Sequence, residues 1–449
     1  MATTYLTRTP SSGAATQKVT FSFWVKKTNA TGTPNLFRMY TNATQYVRIR
    51  FESSNKMSFI IINSDSYVVQ LISTKVFRDP SAWYHIVCNM DTTQATASDR
   101  AKIYVNGERI TAYDTATYPP TQNANIIVTP SGTANHIGTQ LGDSPSYFEG
   151  CMSHVNFTDG YVYQASEFGE TDSTTGEWKI KTSPSVTYGN NGFFILKDGN
   201  TITDSSPNSN NFSLGGGTLT KTEDCPSNVF ATFNPLDQPN ISQLSVYTYG
   251  NTVAEGTDAG YVSGVSTIAP STGKYYAEFK MDTGHQDAYL GIIETPVSLL
   301  GNTRNVDNGS SPYVNNIYSI TQGGDKYLAG AGTGNFAGTF TSGDILGVAL
   351  DCDNNRLYFS KGGQWTNGSG AYNSATPSGY ITLPAGKTWH FIGGDDYGSG
   401  YARWSANFGN GYFKGVAISS EGTNASGNGK FEYNVPSGYT ALSTKGLNL

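Results

Sequence analysis

Apolar and polar residues alternate with a period of two along most of this 449-residue chain. In VTFSFWVKK (19–27), Val19, Phe21, Phe23 and Val25 fall on one face, and Thr20, Ser22, Trp24 and Lys26 on the other. That spacing predicts a half-buried antiparallel strand. WYHIVCNMD (83–91) sets Tyr84, Ile86, Cys88 and Met90 on one side in the same way. KIYVNGERI (102–110) alternates on both sides of Asn106-Gly107. This predicts a tight hairpin, because a type I′ turn needs positive φ at both central residues. Helical periodicity is scarce; around QASEFGE (164–170) a turn or two is expected.

The alternation restarts in the second half. STGKYYAEFKMD (271–282) aligns Tyr275, Ala277, Phe279 and Met281, and ARWSANFG (402–409) aligns Ala402, Trp404, Ala406 and Phe408. GDILGVALDCDNNRLYFSKGG (343–363) reads as a hairpin turning at Asp353-Asn354-Asn355. Many short strands with frequent turn signals and no fixed repeat predict an all-β chain of two tandem antiparallel sandwiches. Between them, DCPSNVFATFNPL (224–236) holds Val229, Phe230 and Phe233 between Pro226 and Pro235. Proline fixes φ and removes a backbone donor, so the stretch is expected to be neither helix nor central strand. It reads as a stiff, partly buried join whose phenylalanines continue the seam of Phe193, Phe194 and Ile195. The expected organisation is a first domain at 1–217, a connector at 218–240 and a second domain at 241–449.

Composition narrows the function. Charged residues are only 14% of the chain, while aromatics reach 13%, a balance that suits strands and tight turns. The net charge of −6 and the lack of a basic run argue against nucleic acid as a partner. No apolar run is long enough for a membrane span, and the opening residues lack the apolar core of a signal peptide. Reduced, idle thiols are therefore expected at Cys88, Cys151, Cys225 and Cys352.

Several stretches carry a resemblance. YLTRTPSS, FSFWVKKT, WYHIVCNMDTT, AKIYVNGERIT and HIGTQLG followed by YFEGCMSHVNFTDG resemble, in content and order, a laminin-G-like or concanavalin-A-like jelly roll of the kind carried by bacteriophage fibres. STIAPSTGKYYAEF, GDILGVALDCDNNRLYFSKGGQW, ITLP and ARWSANFG resemble a SPRY domain. The join and the tail GKFEYNVPSGYTALSTKGLN are similar to segments of phage virion proteins with this pairing. The resemblance implies a virion structural protein assembled in the host cytoplasm. The role it implies is that of a tail-fibre or receptor-binding adhesin toward a surface glycan or protein, or else of a head-decoration protein bound to other virion proteins. A homo-oligomer is expected, since exposed sheet edges and low charge favour association.

Candidate chemistry points to binding rather than catalysis. There is no E-x-D-x-x-E pair source, H-E-x-x-H or G-x-S-x-G elbow, so a depolymerase is disfavoured and no enzyme is expected. His85 reads as a packed or surface imidazole. DCDNN (351–355) lacks the Gly and Glu of a calcium loop and reads as a turn. No cofactor is implied, although Asp143 in a rim loop leaves calcium open. Sugars stack on aromatic faces and bond to Asp and Asn. The aromatic, glycine-rich loops therefore nominate Trp365 and Tyr372 in 362–380, and Asp395, Asp396, Tyr397 and Tyr401 in 393–404, as ligand-binding residues. The same aromatics also suit subunit contact or plain loop packing.

Overall fold

The computed structural model describes residues 3–13, 15–28, 32–141, 145–197, 201–237, 245–256, 262–285, 287–295, 316–329, 331–395 and 402–448. The chain divides into two compact units, Met1–Lys221 with Cys225–Ser227, and Thr222–Asp224 with Asn228–Leu449. Both are all-β, with only three short 3-10 turns among the described residues, one of them at Ala165–Glu167 as the sequence predicts. No helix among those residues is long and apolar enough to cross a membrane.

In the first unit, an eight-stranded sheet packs on a six-stranded one. The larger runs Tyr113–Thr117, Ser66–Val76, Lys56–Asn63, Gln45–Phe51, Asn35–Asn42, Asn135–Ile137, Tyr5–Arg8 and Ser213–Gly216 in spatial order. Its inward side is a cross-strand row of Leu6, Ile137, Phe37, Ile49, Phe59 and Leu71, one residue per strand and all buried. The smaller sheet centres on Lys18–Lys27, between Tyr84–Asp91 and Gly150–Asp159. It supplies Phe21, Phe23, Ile86 and Phe157 to the same core. The predicted hairpin is present, with positive φ at both Asn106 and Gly107.

One expectation for this sheet is corrected. Lys18–Lys27 is buried on both faces, not half-buried. Residues 161–188 lie over its outer side, where Ala165, Phe168 and Trp178 pack with Val87 and Tyr104. The polar residues of the outer face bond to this cover. Thr20 Oγ1 donates to the Tyr161 carbonyl at 3.3 Å and accepts the Tyr163 N–H at 2.9 Å.

The second unit repeats the plan with other parts. A ten-stranded sheet centres on Lys274–Thr283, flanked by Ile345–Asp351 and Arg403–Asn407, and faces a six-stranded sheet around Trp389–Asp395. The predicted inward residues Tyr275, Ala277, Phe279, Met281, Ala402, Trp404, Ala406 and Phe408 all lie in the core. The turn reading of DCDNN holds, since Asp351 accepts the Asn354 N–H and Nδ2 at 2.9 Å each and Asn355 has positive φ.

The proline-bracketed stretch groups with this second unit from Asn228 onward. Phe233 is fully buried in the sandwich core, and Phe230 lies in an adjacent cluster with Tyr276 and Phe431. Neither continues the seam of Phe193 and Ile195, which belong to the first core. Backbone pairing explains the attachment. The Ala231 N–H donates to the Leu442 carbonyl and the Phe233 N–H to the Asn251 carbonyl, so the stretch is laced to the C-terminal segment and to a neighbouring turn.

Candidate functional site

Of the residues nominated from the loops, the three that the structure describes are held in the framework. Trp365 is 4% exposed and packs with Tyr276 and Tyr358, so its ring offers no face to a sugar. Tyr372 is half-buried, and its hydroxyl is sealed from water without a partner. Asp395 is fully buried at the end of its strand; one oxygen lies 3.1 Å from His285 Nδ1 and the other accepts the Ala402 N–H at 2.8 Å. It ties together the residues flanking 396–401. Trp365 and Asp395 are thus buried and Tyr372 half-buried, so none of the three presents the open surface expected of a ligand site. Asp396, Tyr397 and Tyr401 lie outside the described residues, as does Asp143.

The buried ionisable groups are locked as well. The fully buried His85 ring stacks on Trp24, with centroids 4.7 Å apart, and on Trp178 at 5.9 Å. The Trp178 indole N–H donates to His85 Nδ1 at 3.0 Å. An indole nitrogen only donates, so Nδ1 is the acceptor and the proton sits on Nε2, 2.9 Å from Ser22 Oγ. Burial holds the imidazole down to about 3. Glu278 lies beneath the second sandwich's own cover. It accepts the Tyr433 and Glu432 N–H groups at 2.8 Å, along with the Tyr276 hydroxyl and Asn407 Nδ2. Burial nevertheless lifts it to about 7. Neither group is reachable by a substrate, and both act as structural anchors.

What remains open is the outer face of the first unit's large sheet. Register sets Ser213, Thr7, His136, Arg38 and Arg48 in one row across five adjacent strands. At the spacing of neighbouring strands this row spans about 19 Å. Beside it, Tyr40 pairs with Tyr46, and Ile62 links Tyr46 to Tyr67. The Arg38 guanidinium lies 4.7 Å from the Tyr40 ring and 4.3 Å from the Tyr46 ring. Tyr40 and Tyr67 are 42% and 46% exposed, so the patch opens to solvent.

The electrostatics of this row are unbalanced. Arg50, close by, makes a two-pronged bond to Glu52 at 3.0 and 2.7 Å. Arg38 has no such partner: it is 6% exposed, and its Nε and Nη1 are buried with no acceptor. Arg48 Nε is in the same condition. Burial and then repulsion from Arg48 push Arg38 down to about 10. His136 is lowered by burial and by the Arg38 charge. At the other end of the row, Thr7 and Ser213 enter an open polar groove of about 410 Å³, shared with Arg8 and Asn210. Sequence reading missed this face because Arg38, Arg48 and His136 become neighbours only through strand register; the alternation around each was the available signal.

Two stretches of the chain match models of known families. Residues 2–167 match the family model of the concanavalin A-like lectin/glucanases superfamily, and residues 274–383 match that of the SPRY domain. No curated protein matches the chain in sequence. Similar solved structures include the SPRY domain of human HERC1, at 14% identity over 39% of this chain and 96% of that one, with a TM-score of 0.28. A native heptameric SAP-like pentraxin from Limulus polyphemus shares 14% identity over 42% and 87%, with a TM-score of 0.29. The PSpry domain of TRIM65 shares 12% over 39% and 91%, with a TM-score of 0.27. The chain therefore carries a concanavalin A-like domain of the laminin-G type, followed in tandem by a SPRY domain.

Proposed function

We propose that this chain is a non-enzymatic phage virion protein, a tail-fibre or receptor-binding adhesin. In this reading the outer face of the large sheet of its first sandwich is the contact surface for a glycan on the host. The observation that carries the binding role is that face itself: arginine donors left without acceptors, beside solvent-open tyrosines, continuous with a polar groove. Tyrosine faces suit the apolar faces of sugar rings, and the hydroxyl and amide groups of the groove suit their edges. The virion assignment is supported by the resemblance of the join and tail segments to phage virion proteins. Association into homo-oligomers would multiply a weak site into firm attachment.

The test is binding of the labelled, full-length protein to host-range bacterial cells, with isolated surface polysaccharide as competitor. Saturable binding, displaced by polysaccharide that stays uncut, is the expected result. Absence of binding by correctly folded protein overturns the adhesin and moves the role to contact with other virion proteins. Shortening of the polysaccharide overturns the non-enzymatic reading.

A further inference from the structure

We propose that the row His136–Arg38–Arg48 is a carboxylate site, and that the ligand of this face is an acidic saccharide whose ring lies against Tyr40 and Tyr67. The inference rests on the adhesin reading and adds the class of sugar to it. Its starting point is the contrast between three arginines on one sheet. Arg50 has its carboxylate in Glu52, held by both prongs. Arg38 and Arg48 hold buried N–H groups with nothing to receive them. A buried donor without an acceptor is costly, and a charged one more so. The tyrosine rings stack on the Arg38 guanidinium, and neither they nor the His136 imidazole makes a hydrogen bond to these buried N–H groups. A planar carboxylate does, because it accepts two parallel N–H bonds.

The surroundings favour a sugar as the carrier of that carboxylate. Tyr40 and Tyr67 present aromatic surface next to the arginines, and the row leads past His136 to the hydroxyl-lined groove at Thr7 and Ser213. A pyranose bearing a carboxylate uses all three features: the fork, the ring face and the hydroxyl edge. The chain's net charge of −6 disfavours bulk attraction of polyanions.

The experiment measures retention of the full-length protein on immobilised polygalacturonate, on the same polymer with its carboxyl groups reduced to hydroxymethyl, and on inorganic polyphosphate. The expected result is retention on polygalacturonate and loss on the reduced polymer. Arg48→Gln and Arg38→Lys should each weaken retention about tenfold or more. Tyr40→Ala should weaken it without moving the melting temperature. Arg109→Gln, which removes the same charge beside Asp99 elsewhere on this unit, should leave it unchanged. Arg48 is less buried than Arg38, so its variant keeps the test open if Arg38→Lys fails to fold. Equal retention on the reduced polymer, stronger retention on polyphosphate, or no retention at all overturns the carboxylate site. The cell-binding assay reports separately on the adhesin, so the two failures are distinguishable.

Discussion

The two sandwiches share a plan and differ in what they bury at its centre. Each has a third layer laid over the outer face of one sheet: residues 161–188 in the first, and the 430–442 segment with Phe230 in the second. Beneath the first cover lies an imidazole, beneath the second a carboxyl. His85 is fixed as a neutral acceptor by the indole that covers it, so a proton arriving on Nδ1 would meet a donor. Glu278 is surrounded by donors, yet burial still opposes its charge. The same architectural device therefore gives the two domains opposite responses to pH.

The largest expected effect is on the first sandwich. His85 sits at about 3 against an ordinary 6.5, so the stability it confers is complete above pH 6.5 and drains away as pH falls toward 3. The full difference is worth about 5 kcal/mol. Calorimetry of the intact chain between pH 7 and 4 should show one transition falling steeply, and His85→Gln should flatten that slope whatever it does to the starting stability. A first-domain transition that ignores pH in both proteins would contradict the lock.

Next in size is the boundary between the domains. Phe233→Ala empties a fully buried site in the second core and should cost about 3–5 kcal/mol. Only the calorimetric transition that does not fall with acid should move. If the acid-sensitive transition moves instead, the stretch around Phe233 has been assigned to the wrong body.

The smallest of the three concerns Glu278. Its carboxyl, raised from 4.5 to about 7, gives stability that is complete below pH 4.5 and is lost as pH rises through 7. The difference is about 3 kcal/mol. The second transition should therefore climb as the first one falls, with Glu278→Gln levelling it. Parallel movement of both transitions would break the comparison.

Much of this was legible in the chain. Inward residues from Val19 to Phe408 follow from simple alternation, the Asn106-Gly107 turn from its φ requirement, and both domains from their strand sequences. The covers were not, because Thr20, Ser22 and Trp24 read as an outer face whether water or another layer meets them. The site was not legible for two physical reasons. Aromatic residues among glycines look alike when they await a ligand and when they plug a loop onto a core, as Trp365 does. His136, Arg38 and Arg48 lie on three strands, and only pairing register makes them neighbours.

The most direct test of which surface binds is hydroxyl-radical footprinting of the full-length protein, with and without saturating host surface polysaccharide. Tyr40 and Tyr67 report on the first sandwich's face, and Tyr380, 39% exposed, reports on the second domain. The account predicts that the ligand protects Tyr40 and Tyr67 from oxidation and leaves Tyr380 unchanged. Protection of Tyr380, with Tyr40 and Tyr67 oxidised as fast as before, would contradict it and return the binding role to the SPRY domain.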